Sequence, residues 1–219
     1  VIRAVFALVA LLAACGGEEL VAATSTSTTT IQSEPTFTLP GGEVDSTFAT
    51  GDVVGVVGAA HDVTHWLVGL PGDEITGGVV RELQPTETGL SALGAAWQVD
   101  DVLWERLRFG EHEGWFPRSM LAFIGEPEDV TGLYTGISAE SVEELGAEVA
   151  GEIEAARIVL VAEPGPLEVV YDVIGLEDDS VAGYRIRVVA SEQAGRFAPE
   201  LVERTPLCSR GISEDGLCV

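Results

Sequence analysis

From Val53 onward the chain alternates short apolar runs with turns that carry glycine or proline, and that rhythm restricts it to folds made of short strands. The runs cover residues 53–58, 78–83, 95–99 and 102–109. In the last of them Leu103, Glu105, Leu107 and Phe109 fall on one face of a strand, and Trp104, Arg106 and Arg108 on the other. Residues 110–114 read as a turn, and Trp115 and Phe116 begin the next strand. Such a series predicts a small closed β-barrel over residues 48–125.

A second pattern follows. Residues 126–137 read as a linker that packs a few apolar groups, and Ser138 is placed to cap a helix. Val142, Leu145, Val149, Ile153 and Ala156 recur at steps of three and four, which puts them on one stripe. Gly146 and Gly151 weaken that helix. Strand candidates then cover 157–162, 167–174, 183–190 and 196–204, joined at hairpin distance. This predicts an α+β domain over 138–219, one helix on an antiparallel sheet.

The N-terminus has a different logic. Arg3 precedes an apolar run from Val5 to Leu12, which ends Leu12, Ala13, Ala14, Cys15 before the chain turns polar. The run is far shorter than the roughly 20 residues a membrane-crossing helix needs. A charged start, a short apolar middle and small residues at its end read as a processed signal. The stretch resembles a bacterial lipoprotein signal with its lipobox. The resemblance implies a signal peptide over 1–14, cleavage before Cys15 and a diacylglyceryl group on its sulfur. It also implies an extracytoplasmic protein, lipid-anchored to the cell membrane. Residues 15–47, rich in Thr, Ser, Pro and Gly, then form a flexible tether. With Cys15 lipidated, Cys208 and Cys218 remain as a pair around a short glycine-bearing loop, the arrangement of a disulfide in an exported protein.

Charge removes whole classes of partner. The chain carries 36 acidic and 11 basic residues, a net charge of −25, and no segment is basic. Nucleic-acid binding needs cationic phosphate contacts and is excluded on that ground. Anionic lipid headgroups are repelled too, so the membrane link must come through the lipid on Cys15.

Residues 53–125 resemble a bacterial SH3 (SH3b) domain. The matching elements are the Pro71-Gly72 turn, Val79 and Val80 with Leu83 and Pro85, then Leu103-Trp104 with Leu107. They end with Gly114-Trp115-Phe116 followed by Arg118-Ser119 and Leu121. Where the family carries Asn and Arg in its early strand, this chain has Trp66 and Val68. The resemblance implies an SH3-like β-barrel that contacts peptidoglycan or a wall-associated protein. The fold class expected for the whole chain is therefore mainly β, an SH3-like barrel followed by the α+β domain.

Catalytic equipment is sparse. His61 and His65 have a spacing that suits a metal on a helix, but in a strand-and-loop region it gives no shared face. With His112 they read as structural or solvated. No nucleophile elbow, zincin motif or phosphate loop appears. The acid clusters at Glu126, Glu128, Asp129 and at Glu177, Asp178, Asp179 lack calcium-loop spacing and read as solvated turns. Trp66, Trp97, Trp104 and Trp115 all lie in the predicted barrel, where large residues fill the core. Trp66 is the exposed exception, and Trp66 and Trp115 are the candidate ligand-binding residues. The expectation is a binding module and not an enzyme, without cofactor or metal. The alternative is an envelope protein-interaction or inhibitor protein that binds no glycan. Replacing Cys15 by Ser is expected to abolish incorporation of labelled fatty acid and to move the protein from the membrane fraction to the soluble one.

Overall fold

β-Branched alternation becomes strand wherever the sequence shows it. The computed structural model describes residues 41–71, 78–155 and 157–219. The first half contains β1 (Gly42–Val44), β2 (Val53–Val56), β3 (His65–Val68), β4 (Val79–Leu83) and β5 (Leu90–Val99). It continues with β6 (Val102–Phe109), β7 (His112–Pro117) and β8 (Leu121–Ile124). The second half contains β9 (Glu128–Asp129), the helix α1 (Val142–Gly151), β10 (Arg157–Gly165), β11 (Glu168–Ile174), β12 (Val181–Gln193) and β13 (Arg196–Cys208).

These strands do not form a closed barrel beside a separate α+β domain. They form one open 13-stranded sheet in the order β10-β11-β12-β13-β8-β2-β5-β6-β7-β3-β4, with β1 added to β5 and β9 to β13. Two features correct the expectation. Among the described residues β4 pairs only with β3 and does not return to β2, so the first half stays open. β13 runs four residues beyond the predicted end, and there Leu207 and Cys208 pair with Ile124 and Phe123 of β8. β8 in turn pairs with β2 through Leu121 and Ala122. The extension is legible in hindsight: after Arg204 the chain ends its run on Leu207 and Cys208, both fully buried.

The first half wraps its sheet around a core of Val54, Leu67, Leu83, Leu90, Leu107, Phe116 and Leu121, drawn from seven different strands. Cys208 belongs to the same core, although it comes from the other end of the chain. In the second half α1 lies on Val169, Tyr171, Val173, Ile186 and Val188 through Val142, Leu145 and Val149. Burying each of those aliphatic side chains contributes about 1.5–3 kcal/mol. The helix begins three residues later than predicted. Ser141 is its cap, accepting from Glu144 N–H at 3.0 Å, while Glu144 reaches back to Glu140 N–H at 2.9 Å. Ser138 is taken elsewhere: its hydroxyl accepts from Arg196 Nε, and Ala139 bridges to Phe197 as extended chain. Ile153 packs on the core beyond the helix end; Ala156 lies outside the described residues. Gly146 costs helix propensity but is needed here. A Cβ at that position would stand 2.5 Å from Val169 and 2.6 Å from Tyr171, so the glycine sets how closely α1 approaches β11.

One buried ion pair locks the halves together. Arg185 Nε and Nη2 donate to the two oxygens of Asp172 at 2.8 and 2.9 Å. Asp172 is fully buried, and its Oδ2 also accepts from Gly58 N–H at 2.7 Å. Arg185 Nη2 donates on to Val56 O at 2.8 Å. The pair thus sits on β11 and β12 but completes its hydrogen bonds on the backbone at the end of β2. Gly58 adopts φ +62°, and a Cβ there would meet Arg157 and Ile174 within 2.7 Å.

Two expectations follow from this packing. Asp172→Ala leaves a buried guanidinium unpaired, and urea unfolding should show a loss of about 3–5 kcal/mol in one transition that takes both halves together. The second concerns Tyr171, whose phenol is pushed up to about 12 by burial, with Glu143 and Glu163 adding to the shift. Its Oη donates to Glu143 O at 3.0 Å. The folded value lies above the ordinary 10.0, so the stabilisation is intact below pH 10 and is lost as pH rises toward 12. Chemical denaturation across that window should show a steeper decline for the native chain than for Tyr171→Phe.

Candidate functional site

Strand register places all four tryptophans on one face. Trp97 pairs directly with Trp104, Trp104 with Pro117, and Arg106 with Trp115. Val68 pairs with Trp115, and Trp66 is two residues before Val68 on β3. This face is opposite the one that carries Leu67, Leu107 and Phe116 into the core. Trp104 is buried at its centre with Val68 and Val99, and half-buried Trp97 and Trp115 pack against them. These three rings therefore do not fill a barrel core; they pack into an aromatic cluster outside the main core.

Trp66 is different. It is 39% exposed and forms one wall of a cleft of about 230 Å³. Val63, Thr64, His65, Phe116, Pro117 and Met120 complete its lining. The cleft is mostly apolar, with Thr64 and His65 as its polar members, and among the described residues no carboxylate or arginine lines it. Trp115 does not reach the cleft, so the two candidate ligand-binding residues are separated: Trp66 is presented outward and Trp115 serves the cluster.

The remaining predicted positions resolve as follows. Cys208 and Cys218 are bonded, with Cα atoms 5.1 Å apart. Cys15, the signal and most of the tether lie outside the described residues. His61 stands 3.7 Å from Glu163, and its N–H donates to Leu160 O, away from His65. Among the described residues no group of three His, Cys, Asp or Glu side chains could hold a metal ion. In the acid clusters Glu128 pairs with Arg204 and Asp179 with Arg210, while the other two aspartates are used locally. Asp129 accepts from Thr131 N–H and Oγ1, and Asp178 from Ser180 and Val181. Those bonds hold both carboxyls below the usual range. Among the described residues no helix is long and apolar enough to cross a membrane.

Two buried carboxylates and the groups that hold them escape a reading by motif. Glu105 is 1% exposed and accepts from Ser46 Oγ, Thr47 N–H and Thr47 Oγ1 at 2.6, 2.9 and 2.8 Å. Asp172 is held by Arg185. Each is fastened by its own partners, so they do not form an acid–base pair facing a cleft. The signal for both was an acid on an otherwise apolar strand face, Glu105 between Leu103 and Leu107 and Asp172 between Val170 and Ile174. The face of the C-terminal sheet opposite α1 is likewise not an open apolar surface. Arg187 sits there between Glu168 and Glu203, bonded to each at 2.6 Å.

No protein-family model, curated protein or solved structure matches the chain.

Proposed function

We propose that the chain is a non-catalytic binding module of the bacterial cell envelope, held at the membrane by lipid on Cys15, and that its Trp66 cleft engages peptidoglycan. The observation that carries this reading is the exposed indole of Trp66 on β3 beside an apolar cleft. An indole face stacks on the C–H face of a sugar ring, and Thr64 adds a hydrogen-bonding group beside it. The cleft, at about 230 Å³, is smaller than the roughly 300–1,000 Å³ of pockets that enclose a free small molecule. A polymer that inserts one unit and runs on along the surface fits that size better.

Electrostatics narrows the mode of contact. Every arginine among the described residues has an intramolecular partner, from the ion pairs of Arg106, Arg108, Arg185, Arg187, Arg204 and Arg210 to the ring contact of Arg81 with Phe109. Arg118, Arg157 and Arg196 are bonded to backbone carbonyls. Acid therefore dominates the described surface, and stacking can do there what ion pairing would do elsewhere. The rival reading, a protein-binding or inhibitor module acting through the C-terminal sheet, has less support, because that face is closed by the Arg187 ion pairs and the Asp172–Arg185 junction.

Purified residues 41–219 mixed with isolated peptidoglycan sacculi should co-sediment. Trp66→Ala should weaken binding about tenfold, ~1.4 kcal/mol, with an unchanged melting temperature. Trp115→Ala should instead lower the melting temperature. Absence of co-sedimentation by the native chain at moderate salt would overturn glycan recognition and direct the search to envelope proteins.

A further inference from the structure

We propose that the Cys208–Cys218 disulfide is a redox-sensitive latch on the N-terminal strap, residues 44–50, and that Arg118 couples the two. The strap leads from β1 toward β2, and it is fastened at three points. Ser46 and Thr47 donate to buried Glu105. Phe48, 2% exposed, plugs the core of the first half and meets Phe123 edge-on at 5.3 Å. The Arg118 guanidinium stacks over the Phe48 ring at 4.3 Å.

Arg118 is also bonded to the other end of the chain. Its Nε donates to Thr47 Oγ1 at 2.6 Å, Nη1 to Leu121 O at 2.8 Å and Nη2 to Ser209 O at 3.0 Å. Ser209 directly follows Cys208, which is buried in the core that Phe48 plugs, and Ile212 and Cys218 pack against that same core. Burial pulls the Arg118 pKa down while Glu105 opposes the shift, so the guanidinium depends on its acceptors. Ser209 is held independently by its own N–H on Ser180 O. The coupling therefore runs through the packing of Ile212 and Cys218 beside Phe48 as well as through Ser209 O. Once the disulfide opens, Ser209 and Arg210 still hold the start of the loop to Ser180 and Asp179, but among the described bonds its far end keeps only short-range ones such as Ser213 N–H to Leu217 O and Val219 N–H to Gly211 O.

The opening step is thiol–disulfide exchange with a dithiol. Its thiolate attacks Cys218 Sγ, which belongs to the half-buried residue of the pair. The S–S bond breaks, and the electron pair leaves on Cys208 Sγ, which takes a proton. The second thiol of the reductant then displaces Cys218 as a thiol, and the reductant ends as its own disulfide. The seal over Phe48 is thereby loosened in the segment between β1 and β2.

Hydrogen exchange by mass spectrometry on the purified protein, before and after dithiothreitol, reads this directly. Thiol labelling confirms that the bond is open. Amides of residues 44–50 should exchange about tenfold faster after reduction, with α1 and β11 unchanged. Cys218→Ala should show the fast strap without reductant and no response to it. Arg118→Gln should loosen the strap in the oxidised protein and blunt the effect of reduction. Three results would overturn the proposal: strap exchange unchanged by reduction, equal acceleration in α1 and β11, or a bond that dithiothreitol cannot open in the folded protein.

Discussion

The arrangement of this chain depends on a carboxylate that no water reaches. Asp172 is fully buried in the middle of an apolar strand, where an unpaired charge is not tolerated. Arg185 satisfies two of its lone pairs from the next strand, and the Gly58 N–H satisfies a third from the far end of β2. The same guanidinium then reaches Val56 O. Neither half of the sheet can complete this set alone. The desolvation cost is offset only when β2 and the β11–β12 hairpin are in place together, which is why a β13–β8 ladder of just two residue pairs, Leu207 with Ile124 and Cys208 with Phe123, is enough to join them. The small apolar cluster of Val57, Ala122 and Leu207, with Ile124 and Ile174 against it, closes over the junction.

Glu105 plays the corresponding part at the other end of the first half. It faces the core where Leu107 also points, and its hydrogen bonds come from Ser46 and Thr47, which are distant in sequence. Burying a carboxylate there fixes where the chain must pass before β2 begins. Together the two acids set which segments meet: Asp172 joins the sheet halves, and Glu105 ties the strap that precedes them. Hydrophobic burial supplies most of the stabilisation, but it is not directional. The directional constraints come from these two charges and the hydrogen bonds they require.

Local pattern was well expressed in the sequence, and long-range closure was not. The alternation in 102–109 gives β6 with Glu105 and Leu107 inward, and the four later runs become β10 to β13 as a meander. Those features depend on side-chain period, which is local. The separation into a barrel and a second domain failed because it depended on where strand ends pair. The decisive pairs, β8 with β2 and β8 with β13, join residues far apart in the chain and involve only two residue pairs each. The late helix start has a similar cause, since Ser138 serves Arg196 on a distant strand. At the candidate site, exposure of Trp66 was readable from its place in an early strand. The diversion of Trp115 into the aromatic cluster was not, because it rests on the register of β6, β7 and β3.

The cations clarify why so acidic a chain folds this way. With 36 acids against 11 bases, all arginine, positive charge is scarce and is placed where geometry needs it. Arg185 makes two parallel bonds to one carboxylate and a third to a carbonyl; Arg118 serves a hydroxyl, two carbonyls and a ring face. A lysine ammonium has no planar fork and could not span such sets. Arginine at these positions therefore organises the interior and leaves the outside acidic. An acidic exterior holds an anionic polymer poorly by charge, so such a ligand is better held where charge is absent. Among the described residues, the Trp66 cleft offers an exposed aromatic ring without a lining carboxylate.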